Sequence, residues 1–118
     1  MDIETFRAYC LKKKGVTEAF PFDESTLVFK VMGKMFALTG LHRFPFSVNL
    51  KCDPDRAVEL RDYHQEITPG YHMSKKHWNT VNFSGGLSTH LLCELIDHSY
   101  DLVVSGLTKK LKHELAQL

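Results

Sequence analysis

The sequence predicts one two-layer α+β domain: an antiparallel sheet of about five strands with helices near residues 2–14, 53–65 and 87–106 packed on it. Three observations predict it. Between Leu27 and Cys52, β-branched and aromatic residues alternate with period two, whereas the flanking segments repeat at helical spacing behind recognisable caps. A length of 118 residues gives room for a single domain, residues 1–118, and not for two ordinary ones. A hydrophobic content of 43% and a charged content of 25% are the balance of a chain that buries a core, which argues against disorder.

Each element has its own signal. Asp2 caps a first helix that carries Ile3, Phe6 and Tyr9 or Cys10 at helical spacing and ends at Lys12-Lys13-Lys14-Gly15. Thr17 to Phe22 reads as irregular, broken by Pro21. Leu27 to Met32 is a strand, Gly33-Lys34 a two-residue turn, and Met35 to Thr39 the returning strand. A third strand covers about Phe46 to Cys52, with Val48 and Leu50 alternating against Asn49 and Lys51. Asp53-Pro54 opens a second helix that runs through Ala57 and Leu60 to about Gln65. Gly70 to Met73 and Trp78 to Phe83 read as a second ribbon around Lys75-Lys76. After Gly85-Gly86, Ser88 caps the longest helix, with a wide apolar stripe from Leu91 to Leu107. Leu111 and Leu115 keep the period, so Thr108 to Leu118 either extends that helix or forms a short separate one.

Several classes are disfavoured. The longest apolar runs, such as Leu102-Val103-Val104, are far too short to span a bilayer. Asp2 and Glu4 stand where a basic-then-apolar leader would begin. Cys10, Cys52 and Cys93 are odd in number and widely spaced, unlike a disulfide framework or a CxxC metal knuckle. They are expected to be packing residues in a reducing, cytoplasmic environment. A formal charge of +1 and a pI near 7.8 count against a dedicated nucleic-acid binder unless the charge gathers on one face.

Three stretches are distinctive: Lys30-Val31-Met32-Gly33-Lys34-Met35-Phe36-Ala37, Asn49-Leu50-Lys51-Cys52-Asp53-Pro54, and Thr68-Pro69-Gly70-Tyr71-His72-Met73 followed by Lys75-Lys76-His77-Trp78-Asn79. With Ser99-Tyr100-Asp101-Leu102-Val103 they resemble the MmcQ/YjbR family, from about Glu4 to Lys110. The resemblance implies a CyaY-like (frataxin-like) fold, with helices on one side of a twisted antiparallel sheet. It also implies a DNA-binding protein that uses a double wing of β hairpins, although fold likeness alone does not settle function.

On that implication the nucleic-acid-binding residues are Lys30, Lys34, Lys51, His72, Lys75, Lys76, His77 and Asn79. Two adjacent ammonium groups on a ribbon suit successive phosphates, and Asn79, His72 or Arg43 would supply any direct readout. The expected partner is double-stranded DNA, bound by a monomer with little sequence preference. Plainer readings stay open: a solvated lysine turn, edge lysines that block aggregation, and Trp78 packing the sheet against the last helix.

Other chemistry has less support. His72, His77, Asp97 and His98 lack any compact ligand spacing, so neither metal nor cofactor is expected. Gly85-Gly86 is no phosphate loop, and Asp97-His98-Ser99 point in different directions from one helix, so no catalytic motif marks an enzyme. His72, Tyr100 and Asp101 are expected to form a polar network between the last helix and the second ribbon. The alternative function is a small-ligand or protein-interaction module with a pocket near Tyr71 and His72.

Overall fold

Alternating side chains and short turns build one sheet of six antiparallel strands in the computed structural model, which describes Met1 to Leu118. The strands are β1 (Val16–Ala19), β2 (Thr26–Val31), β3 (Lys34–Gly40), β4 (Ser47–Lys51), β5 (Ile67–Pro69) and β6 (Trp78–Asn82), in the order β1-β2-β3-β4-β6-β5. The additional strand is β1, in the segment expected to be irregular. It is an edge strand, half-exposed along its length, so it needs no continuous apolar run. Its Glu18 accepts from Arg7 Nε at 2.7 Å, tying the edge to the first helix.

Turn chemistry sets the registers. Met32 (φ 50°) and Gly33 (φ 85°) form the β2–β3 turn, the left-handed pair of a primed hairpin, so Lys34 is the first residue of β3 and not part of the turn. The second ribbon is shorter than expected. Gly70 N–H donates to Trp78 O at 2.9 Å and closes it. A Cβ on Gly70 would lie 2.8 Å from Trp78 Cβ, so only glycine allows this approach. Segment 70–77 then turns irregularly, with His72 at φ 58°, instead of continuing as strand.

The helices are α1 (Ile3–Leu11), α2 (Pro54–Tyr63), α3 (Thr89–Ser105) and a separate α4 (Lys109–Ala116). Asp2, Asp53, Ser88 and Thr108 cap them, each side chain accepting a backbone N–H three residues on. The helices cover one face of the sheet. Phe6, Phe29, Phe83, Leu92 and Ile96 belong to one core between the layers, with Phe6 edge-on to Phe29 at 5.3 Å and to Phe83 at 5.5 Å. Cys10 and Cys52 are buried, and burial pushes their thiols up to about 12 and about 11. No helix is long and apolar enough to cross a membrane.

Fully buried Ser99 joins the layers. Its hydroxyl donates to Phe36 O at 2.5 Å and accepts from Lys51 N at 2.9 Å, where the β3–β4 ladder ends. The network expected between His72, Tyr100 and Asp101 does not form. Tyr100 lies on the helix side, edge-on to Phe36, and its hydroxyl donates to Lys14 O at 2.7 Å. His72 lies across the sheet from it. Asp97 instead accepts from Tyr9 and Lys13.

Candidate nucleic-acid interface

The face of the sheet away from the helices is open, and strand pairing fixes which residues it shows. Val28, Leu38, Asn49 and Thr80 follow one another across it. One row nearer the β2–β3 turn, Lys30 pairs with Met35 and Lys51 with Trp78. Val28, Leu38 and Trp78 form a small second core on this face, with Met35 and Met73 packed against it. Trp78 is therefore buried, as a lone tryptophan usually is, but on the side opposite α3 rather than against it.

Segment 70–77 supplies the cover, lying back over the open face. Tyr71 N–H donates to Thr80 Oγ1 at 2.9 Å, and Asn49 Nδ2 donates to Tyr71 O at 3.0 Å. Because antiparallel strands alternate in direction, the β2–β3 turn, the end of β4 and the start of β6 share one end of the sheet. Lys30, Lys34, Lys51, Lys75 and Lys76 gather there.

They do not share one face. Lys30 and Lys51 are half-buried on the open face, while Lys34 pairs with Val31, a core residue, and so emerges on the helix side. Lys75, Lys76 and His77 are exposed in the turn before β6. Lys75 Nζ donates to Gly70 O at 3.0 Å, which folds one of the two adjacent ammonium groups back onto its own loop. The second wing is thus a loop laid on the sheet and not a projecting ribbon.

Asn79 is withdrawn from any ligand. It is 2% exposed, its amide donates to Ala57 O at 3.3 Å, and its oxygen accepts from Arg61 at 2.8 Å. Strand alternation explains this: Asn79 pairs with Leu50, whose side chain enters the helix-side core. His72 is exposed, with its ring 4.0 Å from that of Tyr71. It is far in the fold from Asp97 and His98, whose helix lies on the other layer.

Charge is segregated more sharply than the net value suggests. Neither Thr26 to Lys51 nor Ile67 to Phe83 contains an Asp or Glu, yet together they hold Lys30, Lys34, Arg43, Lys51, Lys75 and Lys76. Outside the helices and their caps, the carboxylates are Glu18, Asp23, Glu24 and Glu66. The ion pairs of the molecule all involve helix-layer cations: Arg7 with Glu18, Lys13 with Asp97, Arg56 with Glu94. None of the six sheet cations has a carboxylate partner.

At the other end of the open face lies a cleft of about 700 Å³ between the loops before β2, after β3 and after β5. Leu38 and Asn49 line its floor, and Phe22, Arg43, Tyr71 and His72 its walls. Arg43 was named from the sequence only as a secondary reader. Its guanidinium carbon sits 4.7 Å over the Tyr71 ring. Its position was legible only in part, since nothing in the sequence brings residues 43 and 71 together.

These features define a class: a small α+β domain whose sheet is backed by helices on one side and presents an open, carboxylate-poor basic face on the other. The chain belongs to the YjbR family, whose model matches residues 11–102. It is 41% identical over 108 residues to the uncharacterised protein YbdF of Escherichia coli O157:H7, covering 91% of this chain and 88% of that protein. It is 31% identical to uncharacterised YjbR of Escherichia coli K12 over 118 residues, the whole of both chains. Among solved structures, a Deinococcus radiodurans protein with domain DUF419 superposes with a TM-score of 0.89 at 45% identity, covering 97% of this chain and 87% of that one. A Pseudomonas syringae protein gives 0.75 at 28% identity, covering 86% and 98%.

Proposed function

We propose that this domain is a DNA-binding module that contacts duplex phosphates with the lysine end of its open face. One observation carries the reading: the sheet and its loops hold six unpaired cations and no carboxylate between Thr26 and Lys51 or between Ile67 and Phe83. A field of one sign draws a polyanion even when net charge is near zero. Lys30, Lys51, Lys75 and Lys76 are the phosphate contacts, and Lys34 touches the flank. The duplex rests on one end of the sheet rather than between two projecting wings.

Recognition is sequence-tolerant in this reading. Lysine acts as a point charge, and the amide of Asn79 is unavailable for base edges. The domain acts as a cytoplasmic monomer without cofactor, and as a binder rather than an enzyme. Cys10 and Cys52, with raised thiol pKa values, are poor nucleophiles, which supports that choice.

Anisotropy titration of a labelled duplex tests it. With roughly four phosphate contacts, the logarithm of affinity falls against the logarithm of salt with a slope of about −3.6. Replacing Lys76 alone makes the slope shallower by about one, and scrambling the duplex sequence changes affinity little. Affinity that is indifferent to salt, or selective for one sequence, contradicts the reading.

A further inference from the structure

The cleft at the far end of the open face carries chemistry that phosphate contacts at the lysine end leave unused. Its amide and aliphatic hydroxyl side chains are satisfied from within. Asn49 donates to Tyr71 O at 3.0 Å and accepts from Thr80 Oγ1 at 2.7 Å, and Ser47 Oγ donates to Pro45 O at 3.1 Å. The lone lining carboxylate, Asp23, accepts the backbone N–H and hydroxyl groups of Ser25 and Thr26. The polar lining side chains left without a hydrogen bond or ion pair are His42, Arg43, His72 and the Tyr71 hydroxyl. Two imidazoles and a guanidinium call for a ligand with acceptor oxygens, preferably charged.

Beside these donors stand two exposed aromatic side chains. Phe22 is 64% exposed and Tyr71 is 54% exposed, although both line a concave site. Arg43 lies over Tyr71, so a cation and a π face are presented together. A volume of about 700 Å³ is within the range of small-ligand sites.

We infer that this cleft is a nucleotide site, in which a base stacks on Tyr71 and Phe22 while its phosphate meets Arg43, flanked by His42 and His72. Every base offers a flat face to stack, and the ring–phosphate pair matches the aromatic–cation pair of the lining. The shared chemistry has two sources, a free mononucleotide or an unpaired nucleotide within a strand. The second deepens the DNA-binding reading and rests on it; the first stands without it.

Titration calorimetry and anisotropy distinguish the sources, using adenosine monophosphate, adenosine, a short single strand and the same sequence as a duplex. The monophosphate is expected to bind at least tenfold more tightly than adenosine, by roughly the strength of one charge-assisted contact. Tyr71→Ala and Arg43→Ala are each expected to weaken it by about tenfold. Tyr71→Phe, which keeps the stacking face, retains affinity, and the melting temperatures of these surface variants stay at the wild-type value. A single strand that outbinds both the duplex and the monophosphate assigns the site to unpaired nucleotides. A monophosphate bound as well as the strand assigns it to free nucleotides. Lys75→Glu with Lys76→Glu removes duplex binding but spares the monophosphate, so failure of the DNA reading is separable from failure of this one. The inference is overturned if neither monophosphate nor single strand binds, if adenosine binds equally well, or if Tyr71→Ala and Arg43→Ala leave affinity unchanged.

Discussion

Asn79 carries hydrogen bonds where its neighbours in sequence suggested readout. Its amide bridges the Ala57 carbonyl and the Arg61 guanidinium, so it locks α2 against β6. Asn79→Ala would remove both contacts, leaving Arg61 its donation to Lys75 O at 3.2 Å, and is expected to cost about 1 kcal/mol in urea unfolding, with duplex affinity of the folded protein unchanged. His98 works similarly for the start of α2. Its Nε2 accepts from Asp53 N at 3.2 Å, which requires the neutral ring, and burial, then the Arg56 charge, hold its pKa below the usual 6.5. A histidine with a lowered folded-state pKa contributes stability in full above about 6.5, and that contribution is lost as pH falls through the lowered folded-state value. His98→Gln keeps an acceptor and cannot titrate. Its melting temperature is therefore expected to fall less than that of wild type between pH 7 and about pH 5. Equal slopes for the two proteins would assign the acid sensitivity elsewhere.

Among the elements, those with a local physical cause were readable and those made by long-range contact were not. The Asp2, Asp53-Pro54 and Ser88 caps marked three helix starts because capping uses only neighbouring residues. The β2–β3 hairpin was visible from its glycine, one residue off, since Met32 takes a left-handed conformation unusual for its type. β1 was hidden because an edge strand with Glu18 and Pro21 nearby has no strand-like run of its own. Segment 70–77 looked extended, but Gly70's approach to Trp78, the Tyr71 N–H donated to Thr80 and the Asn49 amide donated to Tyr71 O bend it onto the sheet. Ser99 has no local signal of its own, because its place between β3 and β4 depends on residues far along the chain. Ser99→Ala removes a donor and an acceptor from buried backbone groups, so a loss of about 1–3 kcal/mol is expected in denaturant unfolding. A loss below about 0.5 kcal/mol would mean that β3 and β4 close on each other without it.

At the scale of the whole molecule, the formal charge of +1 averages over two unlike layers. Helices and caps carry most of the carboxylates, and two of those carboxylates pair with cations of the same layer, Asp97 with Lys13 and Glu94 with Arg56. The lysines of the sheet and its loops, and Arg43, have no carboxylate partner. The carboxylate-free runs were present in the sequence, but their meaning depends on strand order, which puts residues 30, 51 and 75–76 at one end. Period-two alternation similarly shows that Lys51 and Trp78 face one way and Leu50 and Asn79 the other. It does not show which side the helices take, and so Asn79 was assigned to the ligand and Trp78 to α3. The most direct test of the central claim is duplex binding by the Lys75→Glu, Lys76→Glu double variant at low salt, beside wild type. The account predicts salt-sensitive binding by wild type and its loss in a variant that melts normally. Binding retained by the variant, or absent from wild type at low salt, would contradict it.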